Sequence, residues 1–196
     1  PLRALECQAI ERTLAALGIL EIEGGRRPRL RPVDASVLAE VFDYALNTAQ
    51  ITVAHALETR RALELQTAQL AARYATDAHR LKLRELVALM RAAGANHSQR
   101  VASDMAIHST IAEASLNPLN SLLLGALQSP REASSRMHLA DARSASELTR
   151  VIDAHEHVVD RICAGDAVGA ASAMSYHFDL AMVHVQRQDS PGGPVT

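Results

Sequence analysis

Nine histidines are spread through this chain, and their spacing selects those able to act together. Asp104 and His108 are four residues apart in a segment with helical periodicity. Their side chains therefore rise from one face about one turn apart and can chelate a single ion. Alone, such a pair says little, because polar pairs at this spacing are common on solvated faces. The last two helical segments each add a histidine. His155 lies 11 residues before Asp166 and His177 lies 11 after it, so antiparallel helices turning at 164–167 bring both imidazoles to similar height. If the helix of Asp104 and His108 packs against that pair, one carboxylate and three imidazoles converge. That donor set suits Zn²⁺, Ni²⁺ or a similar first-row ion. On an octahedral ion it leaves positions open to water or a carboxylate. His157 points roughly 200° away from His155 around the helix and reads as a surface residue or one that supports a ligand. His55, His79, His97, His138 and His184 have no partner at chelating spacing and read as ordinary surface or core histidines.

The elements that must hold these groups are helices. From Asp34 onward the periodic segments are long and alanine-rich. Helices are expected at about 35–50, 52–74, 77–93, 98–116, 118–128, 146–164 and 167–187. Asp34 and Asp77 are expected N-caps and Gly94 and Gly165 expected stops, while Pro118 opens a helix after Asn117. Residues 129–145, with Ser129-Pro130, Ser134-Ser135 and several charges, read as a helix end followed by a loop. The tail from Ser190 to Pro194 cannot continue a helix and is expected to be flexible over 190–196.

Composition agrees with a mainly α chain. Hydrophobic residues make up 48% of the 196 residues, enough for a sizeable core, whereas aromatics are only 3% and Trp is absent; packed helices are favoured over a β-sandwich. The two cysteines, Cys7 and Cys163, provide neither a disulfide framework nor a thiolate zinc cluster, which points to a reducing cytoplasm. No apolar run approaches a membrane span of about 20 residues. The formal charge is −2, so any nucleic-acid surface must be a local patch.

The first 33 residues are built differently. Ile10, Leu14 and Leu17 mark a helix from Cys7 to Leu17 that Gly18 ends. The apolar Ile19-Leu20-Glu21-Ile22, the turn pair Gly24-Gly25 and the basic run Arg26 to Arg31 then read as a two-stranded ribbon with a basic tip. Residues 1–33 hold six Arg against four Glu, a charge of +2 that leaves −4 for residues 34–196. A boundary is placed near Pro32.

In this order the residues resemble a known family. Arg60-Arg61-Ala62-Leu63-Glu64 with Leu70-Ala71-Ala72, then Asp104-Met105-Ala106-Ile107-His108 with Asn117-Pro118, and finally His155, Gly165-Asp166, Met174 and His177 are similar to the ligand-binding domain of GntR-superfamily transcription factors, in the FadR-like subfamily with the all-helical FCD domain. Ile107 departs from the family's usual Phe, a change of packing and not of ligand. The resemblance implies an antiparallel helical bundle in which Asp104, His108, His155 and His177 bind a divalent metal and Arg60 pairs with an acidic effector. It also identifies residues 1–33 as the end of a winged helix-turn-helix, with Arg12 on its recognition helix and Arg26, Arg27 and Arg29 on its wing contacting DNA. A complete winged domain has two further helices before this segment, and Pro1 to Glu6 does not join the family pattern smoothly at Cys7. Residues 34–189 are then the metal- and effector-binding, dimerising domain.

The function implied is a cytoplasmic, homodimeric regulator, a repressor, whose hold on double-stranded operator DNA is controlled by a small organic acid bound at the metal. A second reading is a metal-dependent hydrolase or lyase in which three histidines and an aspartate activate water. Against that reading, no general base stands outside the ligands and the basic wing has no role. A third reading is a structural helical dimerisation module with incidental histidines.

Overall fold

The computed structural model describes residues 2–23, 26–140 and 145–188, and among these it shows nine helices and one two-stranded ribbon. The Gly24-Gly25 turn, the tail from 190 onward and the side chains of His138 and His184 lie outside the described residues. Helix α1 (Leu2–Ala16) is followed by β1 (Leu20–Glu21) and β2 (Arg29–Leu30), which pair antiparallel with Leu20 opposite Leu30 and Glu21 opposite Arg29. Helix α1 begins five residues before the expected Cys7 and runs unbroken past it. Gly18 ends the turn after α1 with a φ of +67°, a conformation that glycine adopts without a Cβ penalty.

The helical body is an antiparallel bundle of α2 (Ser36–Asn47), α3 (Val53–Tyr74), α4 (Asp77–Ala92), α5 (His97–Ala114), α6 (Pro118–Ala126), α7 (Gln128–Ala140), α8 (Ala145–Cys163) and α9 (Ala167–Gln188). Helix α3 lies along α9, α8 pairs with α9, and α4 pairs with α5. Their inner faces follow helical periodicity. On α9, Ala170, Ala173, Met174, Phe178 and Ala181 are buried, and on α8 Val151, Ile152, Val158, Val159 and Ile162. Leu57, Leu83, Met90, Ile107 and Ile111 complete the core between these layers. No helix among the described residues is long and apolar enough to cross a membrane.

Most helix ends are set locally. Gly94 and Gly165 take positive φ, +52° and +73°, where the sequence placed stops. Asn117 accepts the Leu119 N–H at 3.1 Å ahead of Pro118, as expected. Asp34 is not the N-cap of α2: Ala35 holds that place without a side-chain cap, and Asp34 Oδ1 accepts the Ser36 N–H at 2.9 Å from one residue further out. Asp77 is not the N-cap of α4. Extended Thr76 has that place: its hydroxyl accepts the His79 N–H and His79 Nδ1 accepts the Thr76 N–H, both at 3.3 Å. A capping side chain must come from the last non-helical residue, and Asp77 is already in the first turn.

The segment 129–145 corrects the sequence expectation more substantially, because α7 fills most of it. Pro130 falls in its first turn, where a missing N–H leaves no intrahelical bond unmade. The side chains buried at helical spacing are Arg131, Ser134, Ser135 and Leu139. Three of these four are polar, so apolar periodicity does not reveal the helix.

Candidate metal centre

Three helices deliver the four residues picked out by spacing. Helix α5, capped by Asn96 through the Gln99 N–H at 3.0 Å, turns Asp104 and His108 inward. Helices α8 and α9 contribute His155 and His177 from either side of the turn at Gly165. Asp166 caps α9 by accepting the Gly169 N–H at 2.8 Å, which fixes the rotation of α9 relative to that turn. All four side chains are buried, and one donor atom from each lies within 4.8 Å of the others. The imidazoles of His155 and His177 have ring centroids 4.3 Å apart, and His108 lies 5.0 Å from His177. Helices α8 and α9 thus place their histidines at one height.

The hydrogen bonds around the cluster define which atoms face its centre. His155 Nδ1 lies 2.8 Å from the Val151 carbonyl oxygen, an acceptor only, so Nδ1 carries the hydrogen and Nε2 of the neutral ring is a lone pair. That Nε2 faces Asp104 Oδ1 at 2.8 Å. On the other side, His108 Nδ1 contacts Glu64 Oε2, again an acceptor. His108 Nε2 makes no hydrogen bond and stands 3.9 Å from the same Asp104 oxygen. With both rings neutral, two imidazole lone pairs and a carboxylate oxygen converge, and a cation would stand where a hydrogen otherwise bridges His155 Nε2 and Asp104. Such a convergence calls for a cation, and this donor set fits a first-row divalent ion. Burial opposes ionisation of Asp104, but in the metal-free cluster a hydrogen bond from His155 and the charge of His108, His155 and His177 when protonated hold its carboxyl well below the usual range. Ser135 of α7 donates to Asp104 Oδ2, which orients the carboxylate.

Glu64 and the α7 serines were not selected from the sequence as site residues. Glu64 is 1% exposed and joins two of the selected groups, meeting His108 through Oε2 and Arg60 Nε through Oε1 at 2.9 Å. Burial opposes its ionisation, yet His108, Arg60 and the more distant Arg131 lower its pKa strongly. The available signal was its spacing of four from Arg60 on a face shared with Leu57, Ala68 and Ala71.

Arg60 faces the cluster from α3. Its NH1 donates to Ser134 Oγ at 2.8 Å, and its guanidinium carbon stands 5.4 Å from the Phe178 ring centre. The cavity lined by Arg60, Asp104, Ser134, Ser135, His177 and Phe178 holds only about 10 Å³, no more than one water. A larger cavity, about 540 Å³, is an apolar groove beside α3, lined by Phe42 of α2, Leu63 of α3, and Leu123 and Leu127 from the α6 end. Elsewhere, His157 is exposed and His55 lines that groove. Arg12, Arg26, Arg27 and Arg29 are exposed in α1 and the ribbon, with Arg26 paired to Glu23.

The FCD domain family matches residues 55–180, most of the helical body and all four cluster residues. This chain belongs to that family, as a regulator of the GntR type. It is similar to the HTH-type transcriptional regulator LutR of Bacillus subtilis (strain 168), with 26% identity over 172 residues that cover 84% of this chain and 76% of LutR. Among solved structures it resembles Streptococcus agalactiae GntR, with a TM-score of 0.68 and 23% identity over 88% of this chain and 78% of the other. Another similar structure, E. coli McbR/YncC, has a TM-score of 0.59 and 16% identity over 92% of this chain and 83% of its own. These two likenesses concern the fold.

Proposed function

We propose that the protein is a DNA-binding transcriptional repressor whose affinity for operator DNA is set by a small carboxylate effector held at a divalent metal in the helical domain. The observation that carries this reading is the convergence of Asp104, His108, His155 and His177, all buried, with one donor atom from each within 4.8 Å of the others. Asp104, His108, His155 and His177 are the proposed ligands for Zn²⁺ or Ni²⁺. The ion, when bound, supplies an electrophilic centre to which a carboxylate can attach.

The protein groups do the rest. Ser135 and Val151 O orient Asp104 and His155. Arg60 offers a planar, permanently charged anchor for the effector's carboxylate. The pocket beside it is too small for an organic acid as it stands, so entry requires α7 and α9 to separate where Ser134 and Phe178 flank Arg60. That demand gives the effector a means of control, since it can bind only one of two bundle arrangements.

Residues 1–33 are assigned as the C-terminal part of a winged helix-turn-helix, with Arg12, Arg26, Arg27 and Arg29 on phosphates and bases. Residues 34–189 are assigned as the metal- and effector-binding domain, which also dimerises. A homodimer would present two wings at a fixed half-site spacing, and effector-driven rearrangement of the bundle would alter that spacing. Similarity to a named HTH-type regulator supports this reading.

The test combines elemental analysis of the dialysed protein, mass spectrometry of any copurifying organic acid, and DNA binding with and without that acid. Stoichiometric Zn²⁺ or Ni²⁺ and acid-dependent release of DNA are expected. A metal-free protein whose DNA binding ignores carboxylic acids and chelators would refute the proposal.

A further inference from the structure

We infer that Glu64 is the positioning residue of the metal centre: it holds His108 with Nε2 turned to the site and fixes the Arg60 guanidinium beside it. The inference rests on the metal reading above and adds a residue to which that reading gives no role. Its basis is geometric. Glu64 is almost fully buried on the inner face of α3, one helix away from His108, and its two oxygens are divided between His108 Nδ1 and Arg60 Nε. An ionised carboxylate only accepts hydrogen bonds, so the contact with Nδ1 selects the ring tautomer that carries hydrogen there. The lone pair is then on Nε2, which faces Asp104.

The Val151 carbonyl selects the same tautomer for His155, but a backbone carbonyl is neutral. Glu64 brings a full negative charge and so also raises the donor strength of His108. Arg60 keeps that charge compensated inside the bundle, which explains how a carboxylate that is not a ligand can remain buried here. The arginine proposed to read the effector and a histidine proposed to bind metal are thereby joined through one side chain.

The test is a competitive Zn²⁺ titration of the intact chain, run on wild type, Glu64→Gln, His108→Ala and the double variant, together with ¹⁵N chemical shifts of the metal-free imidazoles. Glu64→Gln is expected to weaken Zn²⁺ binding by about 10- to 100-fold. The amide can donate its N–H to Nδ1, so hydrogen should move to Nε2 in the His108 spectrum. In the His108→Ala background the same substitution should cost no further affinity, since Glu64 acts through that ring. A purely structural role would give an equal loss in both backgrounds and no change of tautomer, and either result overturns the inference.

Should Glu64→Gln fail to fold because Arg60 is left uncompensated, Arg60→Met/Glu64→Gln removes both buried charges, and the same two readouts apply. A wild-type chain that does not bind Zn²⁺ overturns the metal reading and this inference together. A wild-type chain that binds Zn²⁺ no more tightly than Glu64→Gln overturns the inference alone.

Discussion

At the scale of single residues, the cluster predicts unequal roles for histidines that composition treats alike. Replacing His155 or His177 with Ala removes an imidazole from a site whose ligand atoms lie within 4.8 Å of one another. Metal stoichiometry after dialysis should fall below one. The rise in melting temperature on adding metal should shrink with it. For a site saturated at a hundredfold excess over Kd, that linkage amounts to about 2.7 kcal/mol in the wild type. His157→Ala is the matched control because His157 is exposed on the same helix, and it should change neither quantity. His79 makes a poorer control, since its ring closes the capping box of α4 and its loss lowers stability by a route unrelated to metal. Equal losses of metal at His155, His177 and His157 would show that the ligands have been chosen wrongly. The four residues of the cluster were legible in the sequence because i, i+4 spacing and symmetry about a helix break are local facts. Glu64 was not, because its role depends on α3 lying against α5, and sequence spacing from Arg60 alone does not bring His108 to it.

At the scale of elements, α7 shows why a polar inner face hides a helix. Arg131 is 2% exposed and gives one NH group to the Leu124 carbonyl at 3.1 Å and another to the Met105 carbonyl at 3.2 Å. Leu124 lies in the last turn of α6, where carbonyls have no intrahelical partner. Arg131 therefore ties α7 to α6 and α5. Burial lowers its pKa, with Arg60 acting in the same direction and the carboxylates of Glu64 and Asp104 against it. Arg131→Met should cost about 1–3 kcal/mol, the penalty for leaving a buried carbonyl unsatisfied, in denaturant unfolding of the metal-free chain. An unchanged midpoint would mean that water replaces the guanidinium. Asp166, by contrast, sits at an end that the sequence marked plainly with Gly165. Asp166→Ala should destabilise α9 measurably and Asp166→Asn much less, because asparagine caps comparably. The Gly169 backbone bond and Arg161 lower the Asp166 pKa. The charged cap's added stability is therefore full above the ordinary carboxylate range and is lost as pH falls through the lowered folded value. Comparing Asp166 with Asp166→Asn in urea melts at neutral and acidic pH measures that increment, which should vanish on acidification. An increment that persisted or grew in acid would contradict the assignment.

At the scale of the molecule, the positive charge and the buried cluster occupy different ends of the chain, and the proposed control of DNA binding requires them to communicate. The ribbon was readable because alternating apolar residues and a glycine pair are strong local signals. Its exposed Arg26, Arg27 and Arg29 carry charge that the acidic remainder of the chain does not. Replacing all three with Gln in the intact protein should weaken binding to specific and nonspecific duplexes alike. It should also reduce the slope of log affinity against log salt by roughly 0.9 for each phosphate that is no longer neutralised. Metal content should be untouched, because none of the three is among the cluster's partners. Arg60→Ala should give the opposite pattern, leaving the salt slope intact while weakening effector-dependent release of DNA. It should also lower stability, because it leaves Glu64 buried without its nearest cation; a broken buried pair typically costs about 3–5 kcal/mol. The decisive comparison measures the salt slope, effector-dependent release and metal content on both variants in parallel. If the wing variant loses metal, or if Arg60→Ala flattens the salt slope, the two ends are not separate devices and the proposed division of labour is wrong.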